Sequence, residues 1–159
     1  LDPRIRLAVR PQAGLPPVEA VPVQLLQLVL NLCLNARDAM PHGGRLELET
    51  AEEIFDAGRA ERRPSRRPGA FARLSVADGG DGMSSEVRAR LFEPAFTTKP
   101  PGRGHGMGLS IVQSIVRDHR GWLECDTAAG RGTRFDVYLP FHADPAIQVH
   151  AKSGRRVAE

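Results

Sequence analysis

The spacing of apolar residues switches between two periods along this chain, and that switch constrains the fold more than any other feature of the sequence. From Pro22 to about Met40 the apolar residues recur with helical spacing, and proline is favoured in a first helical turn. Pro41 and Gly43-Gly44 then end the helix. Strict alternation of apolar and polar residues in Arg45–Glu49 follows and predicts a strand. The sequence therefore predicts an α/β fold.

The same two periods predict the remaining elements. Strands are expected at 4–10, 70–77, 122–127 and 133–139, and helices at 84–92 and from about 108 to 121. Ser84 suits the N-cap of the shorter helix, and a turn at 130–132 joins the last two strands as a hairpin. Residues 56–69 are interpreted as an exposed connection and residues 94–106 as an irregular loop. This order predicts a two-layer α+β sandwich, with helices on one face of a mixed, largely antiparallel sheet.

Length and composition indicate how the chain is organised. Its 159 residues, 41% of them hydrophobic, suffice for one compact domain. Because periodicity is lost after Pro140, we expect that domain at 1–140 and a flexible tail or linker at 141–159. The start at Leu1 suggests a piece of a longer protein. Arginines within 59–67 could contact nucleic acid, but no interleaved aromatic residues favour base stacking, so a solvated loop is the preferred interpretation.

Cysteine usage and hydropathy indicate the compartment. Cys33 and Cys125 are the only cysteines, and they form no metal-binding or disulfide pattern. The sequence shows no signal peptide and no apolar run that could cross a bilayer. We therefore expect a cytoplasmic segment without membrane contact of its own, which is compatible with the cytoplasmic part of a membrane-bound sensor.

Two amides mark the first long helix as a candidate site. Asn31 and Asn35 are four residues apart and so project from one helix face. They could be hydrogen-bonded core amides or part of a solvent-facing stripe, because burying them without partners is costly. An amide oxygen is also a good neutral ligand for Mg²⁺, which usually brings phosphates with it.

A second candidate segment is Asp78-Gly79-Gly80-Asp81-Gly82-Met83, which directly follows a predicted strand. The carboxylate of Asp78 could accept a hydrogen bond from an exocyclic amine such as that of adenine. Gly80 and Gly82 would let the backbone turn tightly and approach a planar ligand without Cβ clashes. An ordinary strand-ending turn is the alternative, since Asp and Gly are common in turns.

A third segment, 102–108, has alternate glycines that run into a predicted helix N-terminus. Free backbone N–H groups and the positive end of a helix dipole both suit phosphate oxygens. Lys99 and Arg103 add positive charge to the same loop. The segment is neither a Walker loop nor a dinucleotide fingerprint, and considered alone it could be a flexible linker.

Taken in order, the three motifs resemble the GHKL superfamily, which includes gyrase, mismatch-repair and chaperone ATPases and the histidine kinases. Residues 31–40 are similar to the N box of the histidine kinases and residues 91–99 to their F box. Residues 104–109 resemble their second glycine box, and Gly132–Phe135 resembles the Gly-Thr-x-Phe near the end of the domain. The resemblance covers roughly residues 1–140. It implies a GHKL-type fold with a flexible ATP lid, the ATP-binding catalytic domain of a two-component sensor histidine kinase.

The resemblance also implies roles for the residues that match the family's motifs. Asn31, Asn35 and Lys99 would be catalytic, with Asn35 as the ligand of Mg²⁺. ATP would be bound by Asn35, Asp38, Asp78, Gly80, Gly82, Lys99, Gly104, Gly106, Met107, Gly108, Leu109 and Thr133. Within this set the family places Asp78 and Thr133 at the adenine. Gly79 stands where the family usually has Asn or Thr, and it removes no predicted ligand.

The residue at position 31, an asparagine, is the one that distinguishes a kinase from an ATPase within this superfamily. Hydrolysing members of the superfamily carry a glutamate one helical turn before the metal-binding asparagine, and an amide cannot act as that general base. Neutral histidine is itself a competent nucleophile, so transfer to a protein histidine (protein histidine kinase activity) is predicted over hydrolysis. A GHKL ATPase, a serine-directed kinase of the anti-sigma type, and a degenerate interaction module are the alternatives.

None of the five histidines has the sequence context of a phosphoaccepting residue. They are His42, His105, His119, His142 and His150. The resemblance therefore implies an acceptor on a separate dimerisation and phosphoacceptor hairpin, which would pass the phosphoryl group to a response regulator receiver domain. We expect this segment alone to be monomeric and to bind no nucleic acid.

Overall fold

The computed structural model describes residues 3–56, 58, 66–98 and 106–142. Its elements, in chain order, are β1 Ile5–Pro11, α1 Pro22–Asp38, β2 Gly44–Phe55, β3 Gly69–Asp78, α2 Ser85–Arg90, α3 Gly108–Asp118, β4 Trp122–Thr127 and β5 Thr133–Pro140. The alternation of helices and strands confirms the predicted α/β class.

The strands form one five-stranded sheet in the order β1-β2-β3-β5-β4. β1 runs parallel to β2, whereas β2–β3, β3–β5 and β4–β5 are antiparallel. Helices α1 and α3 pack side by side on one face of this sheet. The predicted mixed, largely antiparallel sheet with helices on one face is therefore confirmed, as is the β4–β5 hairpin.

The main core lies between the two long helices and the sheet. Helix α1 buries Leu28, Leu32 and Ala36, which follow one another at four-residue spacing. Helix α3 buries Val112, Ile115 and Val116, and the strands contribute alternate residues such as Val76 and Val137. This packing directs the adjacent faces of α1 and α3 toward each other, where the candidate site lies.

Several element ends differ from the sequence prediction, among them the end of α3, which stops at Asp118 rather than near residue 121. β2 continues to Phe55 rather than stopping at Glu49, because its second half pairs in register with the first half of β3. Helix α1 ends at Asp38, with Ala39 as its C-cap, and α2 is shorter than expected. The predicted cap of α2 is confirmed, since the hydroxyl of Ser84 accepts a hydrogen bond from the Val87 N–H at 3.3 Å.

A second cluster covers the opposite face at one end of the sheet. It consists of Phe55, Phe71, Trp122 and Tyr138, whose rings meet edge to face or stacked. Arg66 lies over the Phe55 ring and forms an ion pair with Glu124 at 2.7 Å. Its side chain is only 16% exposed, so the prediction of an exposed connection at 56–69 is wrong at this residue. Residues 57 and 59–65 of that connection lie outside the described residues.

After β5 the chain returns to the segment that precedes α1. Phe141 forms an isolated antiparallel bridge with Val18, and the His142 N–H donates to the Pro17 carbonyl at 2.7 Å. The rest of the predicted tail lies outside the described residues. Among the helices that are described, none has the length and apolar character needed to span a membrane.

Candidate functional site

A cavity of about 650 Å³ opens between α1, the N-terminus of α3 and the loop that follows β3. Ten of the residues predicted from the sequence line it: Asn31, Asn35, Asp38, Asp78, Gly82, Gly106, Met107, Gly108, Leu109 and Thr133. The three motifs, which are separated by tens of residues in the chain, therefore meet at one hollow. The predicted residues Lys99 and Gly104 lie outside the described residues.

The amides of α1 form one end of the cavity. The Nδ2 atoms of Asn31 and Asn35 are buried, and neither has a hydrogen-bond partner among the described residues. A buried amide without a partner costs about 1–3 kcal/mol. As far as the described residues show, these side chains are therefore neither satisfied core amides nor a solvent-facing stripe. Helix α3 begins beside them. A Cβ atom placed on Gly108, its first residue, would lie 3.8 Å from Asn35 Oδ1 and 3.9 Å from Asn31 Oδ1.

The N-terminus of α3 also faces this end. Its N-cap residue, Met107, makes no side-chain capping hydrogen bond, so the first backbone N–H groups have no acceptor from a cap. Gly106 has a φ of +67°, and a Cβ there would run into the Ala95 and Phe96 backbone. Glycine is therefore required where the two ends of the 95–106 loop meet. The arrangement leaves helix N–H groups and two amides at the same end of the cavity.

Asp78 lies at the other end of the cavity, at the last position of β3. Its Oδ1 atom accepts hydrogen bonds from the N–H groups of Gly80 at 2.9 Å and Thr133 at 3.3 Å. In the described part of the chain, no hydrogen bond reaches Oδ2. Burial raises the pKa of Asp78 above its ordinary value, and the charge of Asp81 acts in the same direction, while the two backbone hydrogen bonds oppose the shift. The site thus holds a desolvated carboxyl with one oxygen uncommitted.

The loop after Asp78 is hydrogen-bonded to the backbone on both sides of the cavity. The Asp81 N–H donates to the Ala39 carbonyl at the end of α1, and the Asp81 carbonyl accepts from the Gly130 N–H at 2.7 Å. A Cβ on Gly80 would lie 2.9 Å from Ala39 Cβ and closer still to its carbonyl. A Cβ on Gly82, whose φ is +64°, would overlap the Ala128 carbonyl. The loop therefore follows the surrounding backbone closely at both glycines.

This packing corrects the reason given for the two glycines. The expected tight turn is present at Gly82, whose φ is +64°, but the space that the missing Cβ atoms of both glycines leave is filled by the protein's own backbone rather than open to a planar ligand. Gly82 still lines the cavity, whereas Gly80 does not appear among the lining residues. Gly80 supports the site indirectly, through its N–H bond to Asp78.

Two charged residues occupy the rim where α1 ends. The guanidinium of Arg37 donates to Asp38 Oδ1 from Nε at 2.8 Å and from Nη2 at 2.6 Å, and both residues line the cavity. The predicted Asp38 is therefore present at the site but already pairs with a cation. Arg37 was not predicted as a site residue, and only the fold brings it to the cavity.

Thr127 is the residue that sequence reasoning missed most clearly. Its hydroxyl accepts from the Met83 N–H, donates to the Gly132 carbonyl and contacts Thr133 Oγ1, each at 3.0 Å. It thereby joins the loop after β3 to the β4–β5 hairpin. The signal available in the sequence was the hairpin itself, because its register pairs Thr127 with the predicted site residue Thr133.

Comparison with known proteins identifies the family to which this site belongs. Residues 20–143 match the family described as histidine kinase-, DNA gyrase B- and HSP90-like ATPase. The sensor kinase CckA of Brucella abortus is 42% identical over 125 residues, which are 78% of this chain and 13% of that protein. The chain thus spans a small part of this curated relative.

Solved structures agree with this match. A mycobacterial sensor histidine kinase, MprB, is 30% identical with a TM-score of 0.64, covering 86% of this chain and 82% of that one. The full-length ShkA, solved in complex with AMPPNP, is 29% identical with a TM-score of 0.66, covering 87% of this chain and 27% of that one. The chain is therefore a member of the histidine kinase-, DNA gyrase B- and HSP90-like ATPase family, and within it an ATP-binding domain of the sensor histidine kinase type.

Proposed function

We propose that this domain binds Mg-ATP in the cavity between α1 and α3 and transfers the γ-phosphoryl group to a histidine of a separate dimerisation and phosphoacceptor hairpin. The observation that carries the proposal is the convergence of the α1 amides, Asp78 and the N-terminus of α3 on one cavity of about 650 Å³, which falls in the range of small-ligand pockets. The likeness to ShkA, solved with AMPPNP, supports a triphosphate as the ligand.

In this proposal the two ends of the cavity bind different parts of ATP. Asp78 accepts a hydrogen bond from the adenine amine through Oδ2, with Gly80, Gly82 and Thr133 shaping that end. The N–H groups at Gly106–Leu109 approach the phosphates, since a helix N-terminus favours anions. Lys99, Gly104 and Asp38 keep the roles predicted for them: the first two contribute to the lid and the third lies beside the asparagines.

The amides of α1 fit a magnesium ion together with phosphate. Both are uncharged oxygen donors of the kind that Mg²⁺ accepts, and both carry a buried nitrogen with no partner in the described residues. A phosphate oxygen, or water held by the ion, would supply the missing acceptor. Asn35 would be the ligand and Asn31 its support. When bound, Mg²⁺ would neutralise part of the phosphate charge that opposes attack by a nucleophile.

The identity of residue 31 supports transfer over hydrolysis. Asn31 faces the cavity, and its amide has no useful basicity near neutral pH, so it cannot remove a proton from an attacking water. Asp38 is paired with Arg37, and its Oδ1 atom already accepts two hydrogen bonds from that guanidinium. The described residues at this end therefore position the phosphates and leave the nucleophile to be supplied by the partner.

The wider setting follows from the same proposal. Residues 1–140 would be the catalytic domain and residues 141–159 a tail or linker. The segment as a whole would be monomeric in isolation and would work in the cytoplasm. The phosphorylated hairpin would then pass its phosphoryl group to a receiver domain of a response regulator. Neither nucleic acid nor a membrane is proposed as a partner of this segment.

The decisive experiment mixes γ-labelled ATP, this domain and the phosphoacceptor hairpin of the same full-length protein. We expect label on the hairpin that is labile to acid and stable to base, as for a phosphohistidine. A hairpin whose accepting histidine is replaced by glutamine is the control and should stay unlabelled. Tight ATP binding without transfer would contradict the proposal, and steady phosphate release without the hairpin would favour the ATPase alternative. Acid-stable label on a serine would favour the serine-directed kinase.

A further inference from the structure

The hydrogen-bond arrangement around Thr127 fixes the direction of a neighbouring hydroxyl. Thr127 and Thr133 face each other across the β4–β5 hairpin, and their hydroxyl oxygens are 3.0 Å apart. Thr133 is only 7% exposed and lines the cavity beside Asp78. The direction of the Thr133 O–H bond therefore bears on what that end of the cavity can bind.

Only one placement of the hydroxyl hydrogens makes all three contacts of the Thr127 oxygen hydrogen bonds at the same time. Thr127 has one hydroxyl hydrogen, and the Gly132 carbonyl, 3.0 Å away, can only accept it. The Met83 N–H donates to the same Thr127 oxygen at 3.0 Å. The contact between the two hydroxyls is then a hydrogen bond only if Thr133 is the donor. The Thr133 hydrogen is thus used inside the protein, and what its oxygen offers the cavity is lone pairs.

The carboxyl of Asp78, next to Thr133, also presents hydrogen-bond acceptors to the cavity. Asp78 already accepts at Oδ1 from backbone N–H groups, and its ionised form offers only acceptors at Oδ2. This end of the cavity therefore presents two acceptors side by side. An amino group carries two N–H donors and can satisfy both, whereas a carbonyl carries none and would face two like dipoles.

We propose that Thr127 is a positioning residue that holds the Thr133 hydroxyl as an acceptor and thereby makes the cavity select a purine with an amino group at C6 over one with a carbonyl. This inference rests on the proposed function, because it takes the base of ATP to lie at Asp78 and Thr133. Inosine triphosphate has a carbonyl at C6 and an N–H at N1. Its single N–H can pair with one acceptor, and its carbonyl oxygen is left opposite the other.

The replacement Thr127→Val removes the oxygen that accepts the Thr133 hydroxyl hydrogen, with little change in side-chain volume. The Thr133 hydroxyl is then free to turn and donate toward the cavity, while Asp78 still accepts. One donor beside one acceptor matches the carbonyl and N1–H of inosine. The variant should therefore lose affinity for ATP and gain affinity for inosine triphosphate, a change of preference that a general loss of stability would not produce.

The test measures the dissociation constants of ATP and inosine triphosphate by calorimetry for the parent, Thr127→Val and Thr127→Ser. Because both ligands carry the same triphosphate, effects at the phosphates cancel in the ratio. We expect the parent to prefer ATP, Thr127→Val to reduce that preference about tenfold, which is the size of one hydrogen bond, and Thr127→Ser to restore it. A ratio in Thr127→Val equal to that of the parent would overturn the inference.

A second variant keeps the inference falsifiable if Thr127→Val does not melt cooperatively. Thr133→Val removes the oxygen that is argued to accept, so it should weaken ATP binding and leave inosine triphosphate binding nearly unchanged. If it instead weakens inosine triphosphate more than ATP, Thr133 donates to the ligand and the inference fails. A parent that binds neither nucleotide would refute the proposed function as well, whereas selective ATP binding with unchanged ratios would refute this inference alone.

Discussion

The two ends of the cavity differ in how completely the fold satisfies their polar groups. Around Asp78, the side chain, the following loop and the β4–β5 hairpin are joined by hydrogen bonds of 2.7–3.3 Å. Around Asn31 and Asn35, the amide nitrogens are buried and unpartnered within the described residues, and Met107 provides no side-chain cap for α3. One end is fixed by folding, and the other retains unmet hydrogen-bonding capacity.

This difference indicates what each end contributes to binding. A rigid end that is held by internal hydrogen bonds loses little entropy when a base enters, so its remaining acceptors can discriminate between bases by polarity. An end with unpaired donors already carries a desolvation cost of about 1–3 kcal/mol per group in the free protein. A ligand that supplies acceptors recovers that cost. The base end should therefore set selectivity, and the phosphate end should supply affinity that depends on metal and phosphate.

The largest expected effect comes from the fixed end. Asp78→Asn replaces an ionised acceptor by an amide, and hydrogen bonds to charged groups contribute about 1.5–3 kcal/mol, so ATP affinity should fall about 100-fold. Asp81→Asn is the matched control, because Asp81 lines the same cavity and lies in the same loop, and it should change affinity less than about threefold. Calorimetry at neutral pH measures both. Equal losses for the two variants would mean that charge in the loop, rather than Asp78 itself, binds the nucleotide.

The next effect tests whether the loop after Asp78 is fixed by packing. Gly80→Ala should lower the free energy of unfolding by about 2–3 kcal/mol, because its Cβ would overlap the end of α1. Gly79→Ala is the matched control: the nearest atom to its Cβ would be the Arg45 carbonyl oxygen at 4.0 Å. We expect a change below about 0.5 kcal/mol there. Urea denaturation of both variants gives the comparison, and a Gly80→Ala variant as stable as Gly79→Ala would show that the loop can move away.

The sequence predicts the elements of this fold better than it predicts their contacts. Helical and alternating patterns identify α1, α3 and the β4–β5 hairpin because local spacing alone produces them. The second half of β2 lacks clean alternation and is a strand because β3 pairs with it. The position of Arg66 is likewise set by non-local partners, Phe55 and Glu124. Such contacts depend on tertiary structure, which local patterns do not encode.

The candidate site shows the same division. Its ligand-like residues belong to motifs that can be read from the sequence, and ten of them line one cavity. The reason for Gly80 was misjudged because the Ala39 carbonyl that excludes a Cβ comes from a different element. Thr127 was missed because the hairpin predicts only that it lies opposite Thr133, and its hydrogen bonds to Met83 and Gly132 depend on the folded structure.

A smaller effect is expected at the unsatisfied end. Asn35→Ala should weaken ATP binding about tenfold with Mg²⁺ present and change it little in EDTA, because the lost ligand acts through the ion. The free protein should not lose stability, since the amide nitrogen that is removed has no partner in the described residues. Gln27→Ala, which removes an exposed amide from the same helix, is the control. Binding calorimetry and thermal melting measure the two expectations, and an equal loss of affinity in EDTA would place the metal elsewhere.

The smallest expected effect is the pH dependence of the fixed end. Burial raises the pKa of Asp78, so the folded protein takes up this proton at a higher pH than the unfolded chain does. The contribution of Asp78 to the free energy of unfolding therefore increases as pH falls through the raised pKa. ATP affinity should instead fall as pH falls through the raised pKa, because only the carboxylate form of Asp78 is a full acceptor for the adenine amine. ATP binding should therefore release a proton from Asp78 in that pH range. Calorimetry in two buffers of different ionisation enthalpy measures the release, and Asp78→Asn serves as the control that retains the titration of ATP's own phosphates. Equal proton release by the variant and the parent would mean that the base does not engage Asp78, and the distinction between the two ends of the cavity would then rest on the amides alone.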